Sequence, residues 1–179
     1  MKTKRFLLIL IVIMLALGLA SCSSLKDGVW SADNRQTAED RFQQIVKAIE
    51  EKDAEGLKNL FSPNALKEAE NIDDGIAYLF EYFKGDVRSV DHALDVTGSS
   101  DHGDKITTIR CQSTVVAKVT YIVFFIDVIE DTEDPDNVGL YMLQIFKESK
   151  IDEQKYDWGY EYKCAGVYLP DTGEQEDET

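Results

Sequence analysis

ITTIRCQSTVVAK, Ile106–Lys118, runs directly into VTYIVFFIDVI, Val119–Ile129, and the reading of this stretch decides the fold. In the first half Ile109, Cys111, Val115 and Ala117 share one face, and Thr108, Arg110, Gln112 and Thr114 share the other. A period of two marks a β-strand with one face buried. The second half is apolar on both faces, as expected of a central strand covered on both sides. No Gly or Asn stands near Lys118, so the join between the two strands lacks the usual chemistry of a tight turn.

Further strands are expected on either side: Asp86–Val96 before, Val138–Lys147 and Glu161–Leu169 after. Upstream of Gly85 the period is helical. Phe42, Ile45, Val46 and Ile49 form one stripe, with Thr37 and Asp40 approximating a capping box. Asp53 caps a second helix that turns Leu57, Leu60 and Phe61 inward, and Ser62-Pro63 starts a third. Asp73 opens a fourth, carrying Ile76, Leu79, Phe80 and Phe83 and closed by Gly85. Helices followed by a run of strands predict an α+β domain over residues 37–170, its N-terminal helices packed on an antiparallel sheet.

AEDRFQQIVKAIEEKDAEGLKNLFSPNAL, Ala38–Leu66, resembles the opening helices of the nuclear transport factor 2-like, cystatin-related superfamily. That resemblance implies a curved sheet rolled into a cone around a pocket. KDAEGLKNLFS (52–62), DTEDPDNVGLYML (131–143) and YKCAGVYLP (162–170) resemble an uncharacterised lipoprotein family of Firmicutes. The lipoprotein-family resemblance implies no reaction.

Lys2, Lys4 and Arg5 precede the apolar run FLLILIVIMLALGLA, Phe6–Ala20. A basic start, an apolar stretch and small residues at its end define an export signal, here residues 1–21. The run is shorter than the ~20 residues of a spanning helix. Leu19-Ala20-Ser21-Cys22 resembles a bacterial lipobox, which implies a diacylglyceryl, palmitate-bearing Cys22 as the first residue of an extracytoplasmic, membrane-anchored protein. Two acyl chains give stable anchoring without a spanning helix. Residues 22–36 then read as lipidated cysteine and tether, and the acidic 171–179 as a disordered tail.

Loss of the leader takes 19 basic residues to 16 against 34 acidic ones, so the mature chain carries −18. Such a surface excludes nucleic acid, whose phosphates are bound by Lys and Arg. The expected partners are the membrane, through the lipid, and an unidentified small ligand or protein. With Cys22 lipidated, Cys111 and Cys164 remain as a possible disulfide, for which loop closure gives about 4 kcal/mol. Two buried free thiols are the alternative.

Two groups of residues are candidates for chemistry. Asp131, Glu133, Asp134, Asp136 and Asn137 supply the hard oxygens that Ca²⁺ takes, without the glycine and terminal glutamate of an EF-hand loop. Asp127 shares a strand face with Tyr121, Val123 and Phe125, where burial would raise its pKa and suit it to act as a base. In cavities of the superfamily named above, isomerases and dehydratases use an Asp or His with Tyr. That makes His92 a second candidate, with Tyr78, Tyr82, Tyr121 and Tyr141 as polar partners. His102 falls in the turn-like GSSDHGD. There is no G-x-S-x-G, H-E-x-x-H or Walker loop, and no cofactor is expected. A lipid-anchored, non-catalytic binding domain is therefore the expectation, with an isomerase- or hydrolase-like enzyme using Asp127 or His92 as the alternative.

Overall fold

A computed structural model describes residues 32–101, 103–152 and 164–169. The export signal, Cys22, most of the tether, His102, residues 161–163 of the last expected strand and the acidic tail lie outside the described residues. Four helices come first: α1 (Ala32–Glu51), α2 (Ala54–Lys58), α3 (Pro63–Glu68) and α4 (Ile72–Tyr82). Five strands follow: β1 (Ser89–Asp101), β2 (Asp104–Val116), β3 (Thr120–Asp131), β4 (Gly139–Lys147) and the short β5 (Gly166–Val167). They form one open, curved sheet in the order β1-β2-β3-β4-β5, antiparallel except where β5 runs parallel to β4. The architecture is α+β. No helix among the described residues is long and apolar enough to cross a membrane.

The period-two reading places β2 and β3 as neighbours in continuous antiparallel register, Cys111 opposite Phe125 and Ser113 opposite Val123. Their join is the three-residue loop 117–119, closed by Ala117 N–H donating to the Val119 carbonyl at 3.0 Å. A hydrogen bond across the loop thus does what turn residues usually do.

The apolar stripe of α1 (Phe42, Ile45, Val46, Ile49) packs with Leu57, Ile76 and Leu79 against Ile109, Val115, Val123, Phe125 and Leu143 on the inner face of the sheet. Full burial of each such side chain is worth roughly 1.5–3 kcal/mol. The other face carries Phe124, Ile126 and Met142 with Tyr141, Cys164 and Tyr168 against them. β3 is buried from Tyr121 to Asp127, which explains why it reads as apolar on both sides.

Asp53 caps α2 by accepting from Gly56 N–H, and Ser62 caps α3 by accepting from Ala65 N–H, as their types predict. Two helix starts differ from expectation. α1 begins at Ala32, five residues inside the stretch read as tether, and Thr37 is helix interior: its hydroxyl donates to the Asp33 carbonyl at 2.9 Å. A Thr–Asp pair cannot by itself distinguish a cap from this back-bonded position. α4 begins at Ile72, so Asp73 lies in its first turn instead of opening it.

Gly139 opens β4 at φ +134, where an added Cβ would stand 2.8 Å from Ser62 N. That approach lets Leu60–Ser62 hydrogen-bond to Leu140 and tie the helical layer to the sheet.

Candidate functional site

α1 lies across the inner face of the sheet, and two charged residues beside its apolar stripe reach polar groups on the strands. Glu39 meets β1: its Oε2 lies 2.7 Å from His92 Nε2. Arg41 meets β3, its Nε donating to Asp127 Oδ2 at 2.8 Å. Each links helix to sheet, and they differ in setting.

The His92 side is a connected network. Nδ1 lies 2.6 Å from Ser113 Oγ, which in turn lies 3.6 Å from Cys111 Sγ. A carboxylate only accepts, so Nε2 carries the proton toward Glu39. In the neutral ring Nδ1 then accepts from the Ser113 hydroxyl, and that oxygen is free to accept from the thiol. The Phe42 ring meets the imidazole edge-on at 4.8 Å and fixes its plane. Burial pushes the Cys111 thiol up to about 11, the Ser113 hydrogen bond opposing and the Glu39 charge adding, so it stays protonated at neutral pH.

Above this network lies a cleft of about 340 Å³ between α1 and the β1–β2 pair. Arg35 and Gln36 stand at its rim, Ala38, Leu94 and Cys111 supply apolar wall, and Glu39 and His92 supply polar groups. A few polar groups within an apolar lining is the usual make-up of a small-molecule site.

Asp127 does not line that cleft. It is fully buried, and its Oδ1 has no hydrogen-bond partner among the described residues. Burial raises its pKa, as expected for a carboxyl on this face, while Arg41 opposes the shift by charge and hydrogen bond. It is held by Arg41 and shut from solvent.

Tyr121 is structural as well: its hydroxyl accepts from Lys84 N–H at 3.0 Å and donates to the Tyr82 carbonyl at 3.2 Å, closing the end of α4. Tyr78 stacks on Tyr82, and Tyr82 accepts from Lys147 N–H. The expected grouping of Asp127, His92 and tyrosines in one cavity is therefore corrected. His92 stands in the cleft, Tyr78, Tyr82 and Tyr121 seal the far end of the helical layer, and Tyr141 lines a separate cavity.

The acidic loop is also not arranged as a ligand cage. Asp131 Oδ1 accepts from the backbone N–H groups of Glu133 and Asp134 at 3.0 and 2.9 Å, and Oδ2 accepts from Asn137 Nδ2 at 2.9 Å. Those bonds, the Asp134 amide foremost, hold its pKa below the ordinary carboxylate value. Asp134 caps the turn at Asp136 N–H and takes a second bond from Asn64 of α3, and Asp136 pairs with Lys67. Among the described residues no three His, Cys, Asp or Glu side chains converge to hold a metal ion. The loop clasps α3.

Cys111 and Cys164 are free thiols. They pack in the two clusters on opposite faces of the sheet, so the possible disulfide is not formed.

Glu39, Arg41 and Ser113 escape sequence reading. Ser113 left a trace, since it occupies an inward position between Cys111 and Val115, where a hydroxyl needs a partner. Glu39 and Arg41 look like the solvated flank of an amphipathic helix, and nothing local marks them.

These features define a class: a helical layer on an open antiparallel sheet, with a ligand-sized cleft over a polar network between the layers. Within that class the chain belongs to a family described as Domain of unknown function (DUF5104), whose match covers residues 44–148. The matched span contains His92, Cys111, Ser113 and Asp127, while Glu39 and Arg41 precede it. No curated protein matches the chain.

Proposed function

We propose that the protein is a lipid-anchored, extracytoplasmic binding domain that takes a small molecule into the cleft between α1 and the β1–β2 pair. The cleft carries this reading: about 340 Å³ of space with apolar walls, a rim cation at Arg35, and a histidine whose two nitrogens are both held. The leader and the Leu19–Cys22 segment support the anchored address. Helices laid on an open curved sheet support kinship with the nuclear transport factor 2-like, cystatin-related superfamily.

A second reading, proton transfer by His92, is favoured by the Glu39–His92–Ser113 chain. It is weakened by the same geometry: Ser113 is fully buried, and the Cys111 thiol is neutral at physiological pH.

The test is mass spectrometry on the full chain purified from membranes, beside Leu94→Trp, which narrows the cleft at a half-buried wall position. A small molecule released from the wild type and absent from the variant is expected. No released molecule, or equal amounts from both, would remove the cleft as the binding site. For the anchor, labelled palmitate should enter the wild type and not Cys22→Ser.

A further inference from the structure

A second cavity, of about 420 Å³, lies between the α3–α4 junction and the start of β4. Its lining includes Glu68, Glu70, Ile72, Tyr141, Tyr168 and Leu169. We propose that this cavity binds an organic ammonium group, a positively charged nitrogen carrying short apolar substituents.

The argument starts from the strand. Ile126 pairs with Met142 and Asp127 with Leu140, which leaves Tyr141 as an extra residue in β4. Such a bulge re-aims the side chain at the irregular position. Here the Tyr141 hydroxyl donates to Glu68 Oε2 at 3.4 Å, so an aromatic ring and a carboxylate stand side by side in the cavity wall. Burial and the Glu68 charge both raise the Tyr141 pKa, which keeps the phenol neutral and its ring available to a cation.

The chemistry of the remaining wall agrees. Glu70 adds a second exposed carboxylate to the wall. No Lys or Arg among the described residues pairs with Glu68 or Glu70. The neighbouring Lys67 is turned to Asn64 and Asp136 on the acidic loop instead. Among the described residues no three His, Cys, Asp or Glu side chains converge as metal ligands, while Ile72, Val167 and Leu169 offer surface to methyl or methylene groups. Carboxylates beside an aromatic ring, with apolar side chains in the same wall, suit an alkylammonium, which gives its charge to the acids and its C–H surface to the ring. The net charge of −15 draws cations toward the surface and repels anionic competitors.

Isothermal calorimetry of the full chain with choline chloride tests this, with 3,3-dimethylbutanol as the uncharged isostere. Saturable choline binding at about millimolar affinity is expected, with none for the isostere. Glu68→Gln/Glu70→Gln, both at exposed positions, should weaken choline about fivefold or more with unchanged melting temperature. Tyr141→Leu should weaken it too, and Leu94→Trp in the other cleft should leave it unchanged. Absence of saturable choline binding, equal binding of the isostere, or full affinity in the double glutamine variant would each overturn the assignment.

Discussion

Asp127 and Asp131 stand four residues apart on the same strand, and the fold shifts their pKa values in opposite directions. Asp127 lies under α1 with one oxygen on Arg41 and the other without a partner among the described residues. Asp131 lies at the strand end with both oxygens filled by the loop it starts. Desolvation governs the first and hydrogen bonding the second. The amino-acid type decides neither: supply of donors turns one carboxylate into a turn cap and the other into half of a buried ion pair.

The largest effect expected from breaking this contrast is at Arg41. Arg41→Ala leaves the Asp127 carboxylate buried without its cation and should cost about 3–5 kcal/mol in urea unfolding. Arg41→Met with Asp127→Leu should recover most of the loss. A single-variant cost below about 1 kcal/mol would show that the pair is not buried as described.

Next in size are two opposed pH dependences. A raised folded-state pKa gives a contribution present below the unfolded value and lost as pH climbs through the folded one. The stability of wild type minus Asp127→Asn should therefore fall as pH is raised from about 4. Asp131, with its lowered pKa, gives the reverse: stability present above the unfolded value and lost as pH falls through the folded one. Wild type minus Asp131→Asn should thus shrink on acidification. Parallel slopes in the two variants, followed by chemical unfolding across pH, would dissolve the distinction.

The smallest effect expected is from calcium. The carboxylates of 131 and 134 are committed to loop amides and to Asn64, so millimolar CaCl₂ after chelation should leave the melting temperature unchanged. A clear upward shift would mean that the loop opens to trade those internal bonds for an ion.

Much of the fold was legible because its signals are local. Period two over Ile106–Lys118, period 3.6 from Phe42 to Ile49, and the caps at Asp53 and Ser62 each follow from neighbours in sequence. The candidate site was legible only in part. His92 belongs to the cleft, but Tyr121 and Asp127 do not, because facing inward says nothing about which inward-facing groups meet. Carboxylate density in the acidic loop suggested a cation site, whereas the backbone amides of the same loop are the partners found.

By itself, the sequence determined the α+β class, the strand faces that go inward and the acidity of the surface, all properties of periodicity and composition. Only the tertiary structure decided that Glu39 meets His92, that Arg41 meets Asp127, that the two cysteines lie on opposite faces, and that a bulge turns Tyr141 toward Glu68. The reason is physical. Local patterns decide which face of an element leaves water, while the pairing of polar groups across elements depends on where helix and sheet cross. That crossing is settled by the packing of the whole core.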